Sequence, residues 1–133
     1  MNKFEYNIVN KNDSSQLGKT LTFYQTKYEI GYSDTTLENS AIIVTAKDGD
    51  KIVGAVRAIS DMSRHSMVVD LIVDEQYRRQ GIGTRLMEII VEELKNKTER
   101  SIGLVTDPKL PWLEDFYKRI GFAELEGGIY LEK

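Results

Sequence analysis

The chain contains no cysteine and only one histidine among its 133 residues. Without cysteine it can have no disulfide framework, no thiolate nucleophile and no cysteine-ligated metal. A single histidine argues against the histidine-rich zinc sites of metalloenzymes. The sequence therefore predicts chemistry that needs no metal ion.

Long apolar runs are missing as well. Residues 1–6 lack the apolar core of a signal peptide, and no segment approaches the length of a membrane span. The formal net charge is −3, which argues against broad nucleic-acid binding because phosphates require a basic face. We therefore expect a cytoplasmic protein that has neither a membrane nor a nucleic acid as its partner.

The residues that are present suit one globular domain. A hydrophobic fraction of 41% and a charged fraction of 29% are ordinary for a soluble protein. A chain of this length buries about two-thirds of its unfolded surface. We find no internal repeat, low-complexity tract or linker, and expect one domain over residues 1–133.

Hydrophobic periodicity predicts elements in the order β-α-α-β-β-β-α-β-α-β. Strands are predicted at residues 3–9, 41–47, 51–60, 66–73, 102–106 and 129–131. Helices are predicted from a cap within residues 13–15 to about residue 28, and at 35–39, 82–97 and 112–120. This order predicts an α/β fold, a mixed sheet with helices on both faces.

The join between the strand ending at Val73 and the helix beginning near Ile82 carries the most specific pattern. It reads Arg78-Arg79-Gln80-Gly81-Ile82-Gly83-Thr84. The first turn of a helix leaves backbone N–H groups without partners and carries partial positive charge. Glycine lets that backbone approach a ligand closely. The join therefore suits a diphosphate, although glycine spacing alone favours a tight turn with two solvated arginines.

Three stretches of the chain resemble the GNAT acetyltransferase superfamily. Residues 78–83 fit its Gln/Arg-x-x-Gly-x-Gly/Ala signature, and residues 70–73 look like its fourth strand. Residues 54–61 are similar to its third strand, and residues 116–122 resemble its Phe-Tyr-x-x-x-Gly-Phe run. The resemblance covers the second half of the chain well and the first third weakly. It implies a mixed, mostly antiparallel sheet.

The resemblance also implies acetyl-CoA as cosubstrate. In this family the glycine loop holds the pyrophosphate, and the backbone of the fourth strand pairs with the pantetheine arm. The implied cofactor-binding residues are Leu71, Ile72, Val73, Arg78, Arg79, Gln80, Gly81, Ile82, Gly83, Thr84 and Phe116.

Tyr117 is the implied catalytic residue, because the family places a tyrosine here to protonate the departing thiolate. A phenol has a pKa near 10 and a thiol one near 8.5, so full proton transfer is uphill by about 2 kcal/mol. Tyr117 must therefore have a lowered pKa or act mainly as a hydrogen-bond donor. The alternative is a core tyrosine packed beside Phe116.

The group that deprotonates the amine acceptor is left open. Several family members carry a glutamate base in the fourth strand, where this chain has Met67. Asp61, Asp70, Glu38 and His65 are candidates, as are ordered waters. Each of these side chains can equally be a solvated charge or a structural hydrogen-bond partner.

Arg57 alternates with apolar residues along its strand, so we expect it to be partly buried and therefore paired. Its partner is Asp61, Asp70 or a substrate carboxylate. Tyr32 and Ser33 lie where the family shapes its acceptor pocket. The predicted substrate-site residues are Tyr32, Ser33, Arg57, Asp61 and Asp70.

The predicted function is acetyl-CoA-dependent N-acetylation of a small-molecule amine. The alternative is a non-catalytic acyl-CoA-binding or regulatory module, because one fold hosts many functions. The short, mildly acidic chain favours a small amine over a histone-like tail. Oligomeric state stays open, with a homodimer among the alternatives.

Overall fold

The computed structural model describes residues 3–28, 31–97, 102–105, 111–124 and 130–132. The strands are β1 (Glu5–Ile8), β2 (Ile42–Asp48), β3 (Lys51–Ser60), β4 (Ser66–Val73), β5 (Ile102–Val105), β6 (Ala123–Glu124) and β7 (Tyr130–Glu132). The helices are α1 (Ser14–Lys27), α2 (Asp34–Glu38), α3 (Ile82–Lys97) and α4 (Pro111–Arg119), with a 3₁₀ turn at Glu75–Tyr77.

The strands form one sheet in the order β1-β2-β3-β4-β5-β7-β6. Every neighbouring pair is antiparallel except β4 and β5, which run parallel. That parallel pairing is confined to Ser66 with Ile102 and Met67 with Gly103. Along the described chain, no strand flanks this edge of β4 from Val68 to Val73, so the sheet opens between β4 and β5.

Helices cover both faces of the sheet. The buried residues of α3 recur at intervals of three to four positions, as expected for one face of a helix, and are Ile82, Leu86, Met87, Ile90, Val91 and Leu94. They pack on one face, and α1 and α2 pack on the other. Gly54 of β3 permits close packing, because a Cβ there would lie only 3.0 Å from Ile82 and 3.1 Å from Leu86. Because α1 and α3 pack on different faces, the end of α1 and the start of α3 lie on opposite faces of the sheet.

Strand β4 is irregular at Asp70. Its register with β3 passes from Val69 opposite Arg57 to Ile72 opposite Ala55, so β4 carries an extra residue. Asp70 has a φ of 54°, which is uncommon for a residue other than glycine. This is a β-bulge, and it bends the strand where the sheet opens.

The predicted mixed, mostly antiparallel sheet with helices on both faces is confirmed, with differences at the ends of elements. Strand β6 was not predicted, because two residues carry no periodicity. The 3₁₀ turn was also missed. The last strand runs to Glu132 rather than ending at 131. The predicted strand positions 106 and 129 lie outside the described residues.

Candidate active site

The loop between β4 and α3 presents a row of backbone donors. No described group accepts a hydrogen bond from the N–H of any residue from Arg79 to Thr84. The first bond of α3 runs from the Arg85 N–H to the Gly81 carbonyl at 3.0 Å. Arg79 and Gly81 have φ values of 65° and 80°, and such turns direct successive N–H groups into a concavity. Backbone donors arranged in this way at the start of a helix are typical of anion-binding sites.

The two glycines of this loop serve different purposes. Gly81 has a φ at which an L side chain is strained. Gly83 lies in the helix, and a Cβ there would meet Phe116 at 3.7 Å, Val73 at 3.8 Å and Leu71 at 3.9 Å. Gly83 is therefore the point where α3, β4 and α4 converge, and the structure brings four predicted cofactor residues together there.

The other predicted cofactor residues divide into backbone and side-chain contributors. Ile72 is partly buried and packs against the core cluster beneath α1. The side chain of Ile82, the first residue of α3, is buried in the core, so only its backbone groups can face a ligand. Arg78, Arg79 and Gln80 are exposed. The Arg78 Nε donates to the last carbonyl of β4 at 3.4 Å. The Arg79 side chain has no partner within the described part of the chain, so its charge is available.

Asp70, at the bulge, accepts hydrogen bonds from side chains of α1, of β3 and of the loop before α2. Its Oδ2 accepts hydrogen bonds from Arg57 Nε at 2.9 Å and from the Tyr32 hydroxyl. Its backbone carbonyl accepts a bond from the Tyr24 hydroxyl at 2.8 Å. Arg57 also donates from Nη1 to Ser40 Oγ at 3.2 Å. Of the partners that the sequence left open for Arg57, the structure selects Asp70.

This ion pair is only partly accessible. The side chains of Arg57 and Asp70 are 13% and 27% exposed. Burial by itself would lower the pKa of Arg57, but the bonds and charges of Tyr32 and Asp70 outweigh it and raise that pKa. Within the described residues nothing donates to Asp70 Oδ1. The pair is thus neutral overall and keeps one open carboxylate oxygen.

Three tyrosines, Tyr24, Tyr28 and Tyr32, form a tyrosine cluster beside the ion pair. The Tyr32 ring centroid lies 4.6 Å from that of Tyr24 and 5.3 Å from that of Tyr28, with interplanar angles of 9° and 19°. The guanidinium carbon of Arg57 lies 5.5 Å from the Tyr32 centroid. Tyr24 is buried, whereas Tyr28 and Tyr32 are half-buried. Burial raises the pKa of all three phenols, so they stay protonated near neutrality.

Tyr117 of α4 is buried, and its ring packs edge-on against Phe116 and Phe122. Burial, with a smaller contribution from the Tyr28 phenol, raises the pKa of Tyr117 to about 12. Its hydroxyl has no hydrogen-bond partner in the described ranges. The raised pKa argues against full proton transfer from Tyr117 and leaves two interpretations from the sequence, a neutral hydrogen-bond donor and a core tyrosine packed beside Phe116.

Four of the residues predicted as substrate-site or base candidates take no part in the Arg57–Asp70 pair. Asp61 is exposed, and its Oδ1 accepts hydrogen bonds from the backbone N–H groups of residues 63–65, which lower its pKa. Ser33 is the N-cap of α2, while Glu38 and His65 are exposed. The structure gives Asp61 a structural contact with its own loop, and its role in a substrate site stays a prediction.

Two residues of the tyrosine cluster were missed by sequence reasoning as site residues. The sequence analysis assigned no role in the site to Tyr24 or Tyr28. The usable signal was the repetition of tyrosine at positions 24, 28 and 32, but nothing in that spacing shows that the rings meet Asp70.

A cavity of about 650 Å³ lies elsewhere, between α1, the β2–β3 turn and Asp74. No predicted site residue lines it. Within the described residues, no three acidic, histidine or cysteine side chains converge to hold a metal ion. None of the described helices is long and apolar enough to cross a bilayer.

Comparison with known proteins gives one consistent family. A model of the Acetyltransferase (GNAT) family matches residues 9–122. GCN5-related N-acetyltransferase 2, chloroplastic, of Arabidopsis thaliana is 29% identical over 84% of this chain and 45% of the relative. The chain spans about half the length of the curated relatives it matches.

Solved structures agree with that match. A GNAT-family acetyltransferase of Streptococcus pneumoniae superposes with a TM-score of 0.70 and 29% identity, over 90% of this chain and 87% of the other. An aminoglycoside 6′-N-acetyltransferase complexed with coenzyme A has a TM-score of 0.73 at 18% identity, over 97% and 96%. At 18% identity, this second comparison shows only that the two proteins share a fold.

Proposed function

This chain belongs to the GNAT acetyltransferase family, and from that premise we propose that residues 1–133 form one domain that transfers acetyl from acetyl-CoA to a small-molecule amine. The observation that carries the proposal is the row of unpartnered N–H groups from Arg79 to Thr84, beside the open edge of β4. A phosphate-bearing cosubstrate with a long polar arm matches both features.

The residues present fit acetyl-CoA. The N–H row and the Arg79 side chain supply donors and charge for a diphosphate. The edge of β4 beyond Met67 offers backbone groups to an extended arm. Phe116 and Leu71 close around Gly83, so a ligand there lies between α3 and α4. A fold neighbour crystallised with coenzyme A adds support.

Acetyl-CoA, when bound, supplies an acetyl group activated as a thioester. In the proposed reaction the C–N bond forms as the C–S bond breaks, the amine loses a proton and the sulfur gains one. Tyr117 donates a hydrogen bond to the charge that develops on sulfur, because its hydroxyl is buried, neutral and without another acceptor. Asp70 Oδ1 receives the acceptor as its ammonium, since Oδ2 is already committed, and that ammonium gives one proton to water before the free amine attacks the thioester carbonyl.

Cofactor binding is tested by calorimetry with acetyl-CoA on folded variants. Gly83→Trp should abolish binding, because a large side chain at this point fills the space between Leu71, Val73 and Phe116. Gly18→Trp is the matched control, since a Cβ added at this exposed glycine of α1 would have no neighbour within 4 Å. Unchanged affinity in a folded Gly83→Trp variant would remove the assigned cofactor site.

Turnover is tested by release of free thiol from acetyl-CoA across a panel of amines. Transfer to small amines supports the enzyme. Binding of acetyl-CoA without thiol release from any acceptor would favour the alternative, a non-catalytic acyl-CoA module. Selective turnover of a basic protein tail over every small amine would contradict the proposed acceptor.

A further inference from the structure

Trp112, in the first turn of α4, exposes a large aromatic ring to solvent. Its side chain is 58% exposed, more than Ile8, Ile59 or Met62, the other exposed large apolar side chains among the described residues. Within the described ranges no other ring packs against the indole and no cation lies over it. Because an indole gains more than most side chains from leaving water, this ring is suited to pack against a ligand.

The helix places Trp112 beside the N–H row. Residues four positions apart share a helical face, so the Cβ atoms of Trp112 and Phe116 lie about 6 Å apart. The tip of the Phe116 ring lies 3.7 Å from the position that a Cβ on Gly83 would take, and Gly83 belongs to the N–H row. Leu113 and Tyr117 turn instead toward the core. Phe116 thus connects the exposed indole to the loop proposed for the diphosphate.

The chemistry of acetyl-CoA indicates what meets this ring. The molecule carries pantetheine on one side of its diphosphate and adenosine on the other. The edge of β4 is proposed for the pantetheine arm, so the adenosine needs a second surface next to the same loop. Every nucleic acid base has a flat π face that stacks on aromatic side chains. Tyr77 also lies next to the loop, but its ring already contacts Phe4 and has Lys51 over it.

We infer that Trp112 stacks on the adenine of acetyl-CoA and thereby selects CoA thioesters over thioesters of phosphopantetheine alone. This inference rests on the proposed function and names the part of the acyl donor that is recognised. The base is remote from the thioester along the covalent chain of the donor. Its contact with Trp112 therefore stabilises ground state and transition state equally, and it acts on KM rather than on kcat.

Calorimetry with CoA and with 4′-phosphopantetheine isolates the contribution of the base, because only CoA carries adenosine. Trp112→Ala should weaken CoA binding by about five- to fiftyfold and leave the Kd for 4′-phosphopantetheine unchanged. Trp112→Phe keeps an aromatic ring and should recover most of the loss. Ile8→Ala is the matched control, because it removes another exposed apolar side chain, from the edge strand β1, and should change neither Kd.

Intrinsic fluorescence gives a second readout in the wild type. Trp112 is the only tryptophan of the chain, so tryptophan emission reports this residue alone. Saturating CoA should quench the emission through stacking, whereas saturating 4′-phosphopantetheine should leave it near that of the free protein. In turnover, Trp112→Ala should raise the KM for acetyl-CoA by the same factor as the Kd and leave kcat near that of the wild type.

The possible failures are distinguishable. If Trp112→Ala weakens both ligands equally or neither, or if CoA leaves the emission unchanged, the adenine contact is overturned and the proposed function stands. Emission that changes with protein concentration alone would show that a second copy of the chain covers Trp112, which also overturns the contact. If the wild type does not bind CoA at all, the proposed function falls and this inference falls with it.

Discussion

Removing the Tyr117 hydroxyl separates catalysis from binding. Tyr117→Phe keeps the ring that packs against Phe116 and Phe122. It also removes no hydrogen bond to a described group, so fold and acetyl-CoA affinity should change little. The hydroxyl's contribution should therefore appear in the chemical step.

The size of the effect follows from the environment of the phenol. A pKa of about 12 against a thiol near 8.5 makes full proton transfer to sulfur uphill by about 5 kcal/mol. The hydroxyl thus stabilises developing charge without giving up its proton. Loss of such a donor lowers kcat by about ten- to a thousandfold in other enzymes. We expect a decrease within that range and an unchanged Kd for acetyl-CoA.

The assay is single-turnover kinetics, because slow product release can hide a change in chemistry. The pH profile supplies a second readout. A donor whose pKa is raised to about 12 stays protonated through pH 9, so Tyr117 should impose no decline in rate below that pH. Equal single-turnover rates in the wild type and Tyr117→Phe would refute the reasoning. So would an alkaline decline near pH 9 that the variant abolishes.

Two further predictions concern stability. Breaking the Arg57–Asp70 pair by Arg57→Met should lower the unfolding free energy by about 3 kcal/mol, as measured by urea titration. The double variant Arg57→Met with Asp70→Leu should lose less unfolding free energy than the sum of the losses in the two single variants. Additive losses would contradict a direct pairing. Burial raises the pKa of Tyr24, Tyr32 and Tyr117 above the unfolded value of about 10. The stability linked to these protons is therefore complete below pH 10, and it is lost as the pH rises from 10 through the raised pKa values of the folded state. Unfolding free energy that stays constant from pH 9 to pH 11 would show that these phenols titrate normally.

The glycine turn between β4 and α3 could be predicted because its determinants are adjacent in the chain. A strand, two glycines and a helix start lie within residues 71–84, and nearest neighbours determine whether a backbone can turn and leave its N–H groups free. The structure adds that the N–H groups from Arg79 to Thr84 have no partner among the described residues. It also shows that Gly83 faces Phe116, a residue far away in sequence.

The ion pair beside the tyrosine cluster could be predicted only in part. Arg57 was correctly predicted to be paired, since its alternation with apolar neighbours places it in a buried strand. Its choice of Asp70 over Asp61 depends on the register of β3 with β4 and on the bulge. A one-residue shift in register would have reversed which side chains meet.

By itself, the sequence determined the order of the longer helices and strands, the glycine turn at the start of α3 and the need for a partner at Arg57. Only the tertiary structure decided that the partner is Asp70, that Tyr24 and Tyr28 join Tyr32 beside it, and that burial raises rather than lowers the pKa of Tyr117. The physical reason is that local backbone geometry depends on neighbouring residues. Burial, ion pairing and proton affinity depend instead on groups that folding brings together from distant parts of the chain.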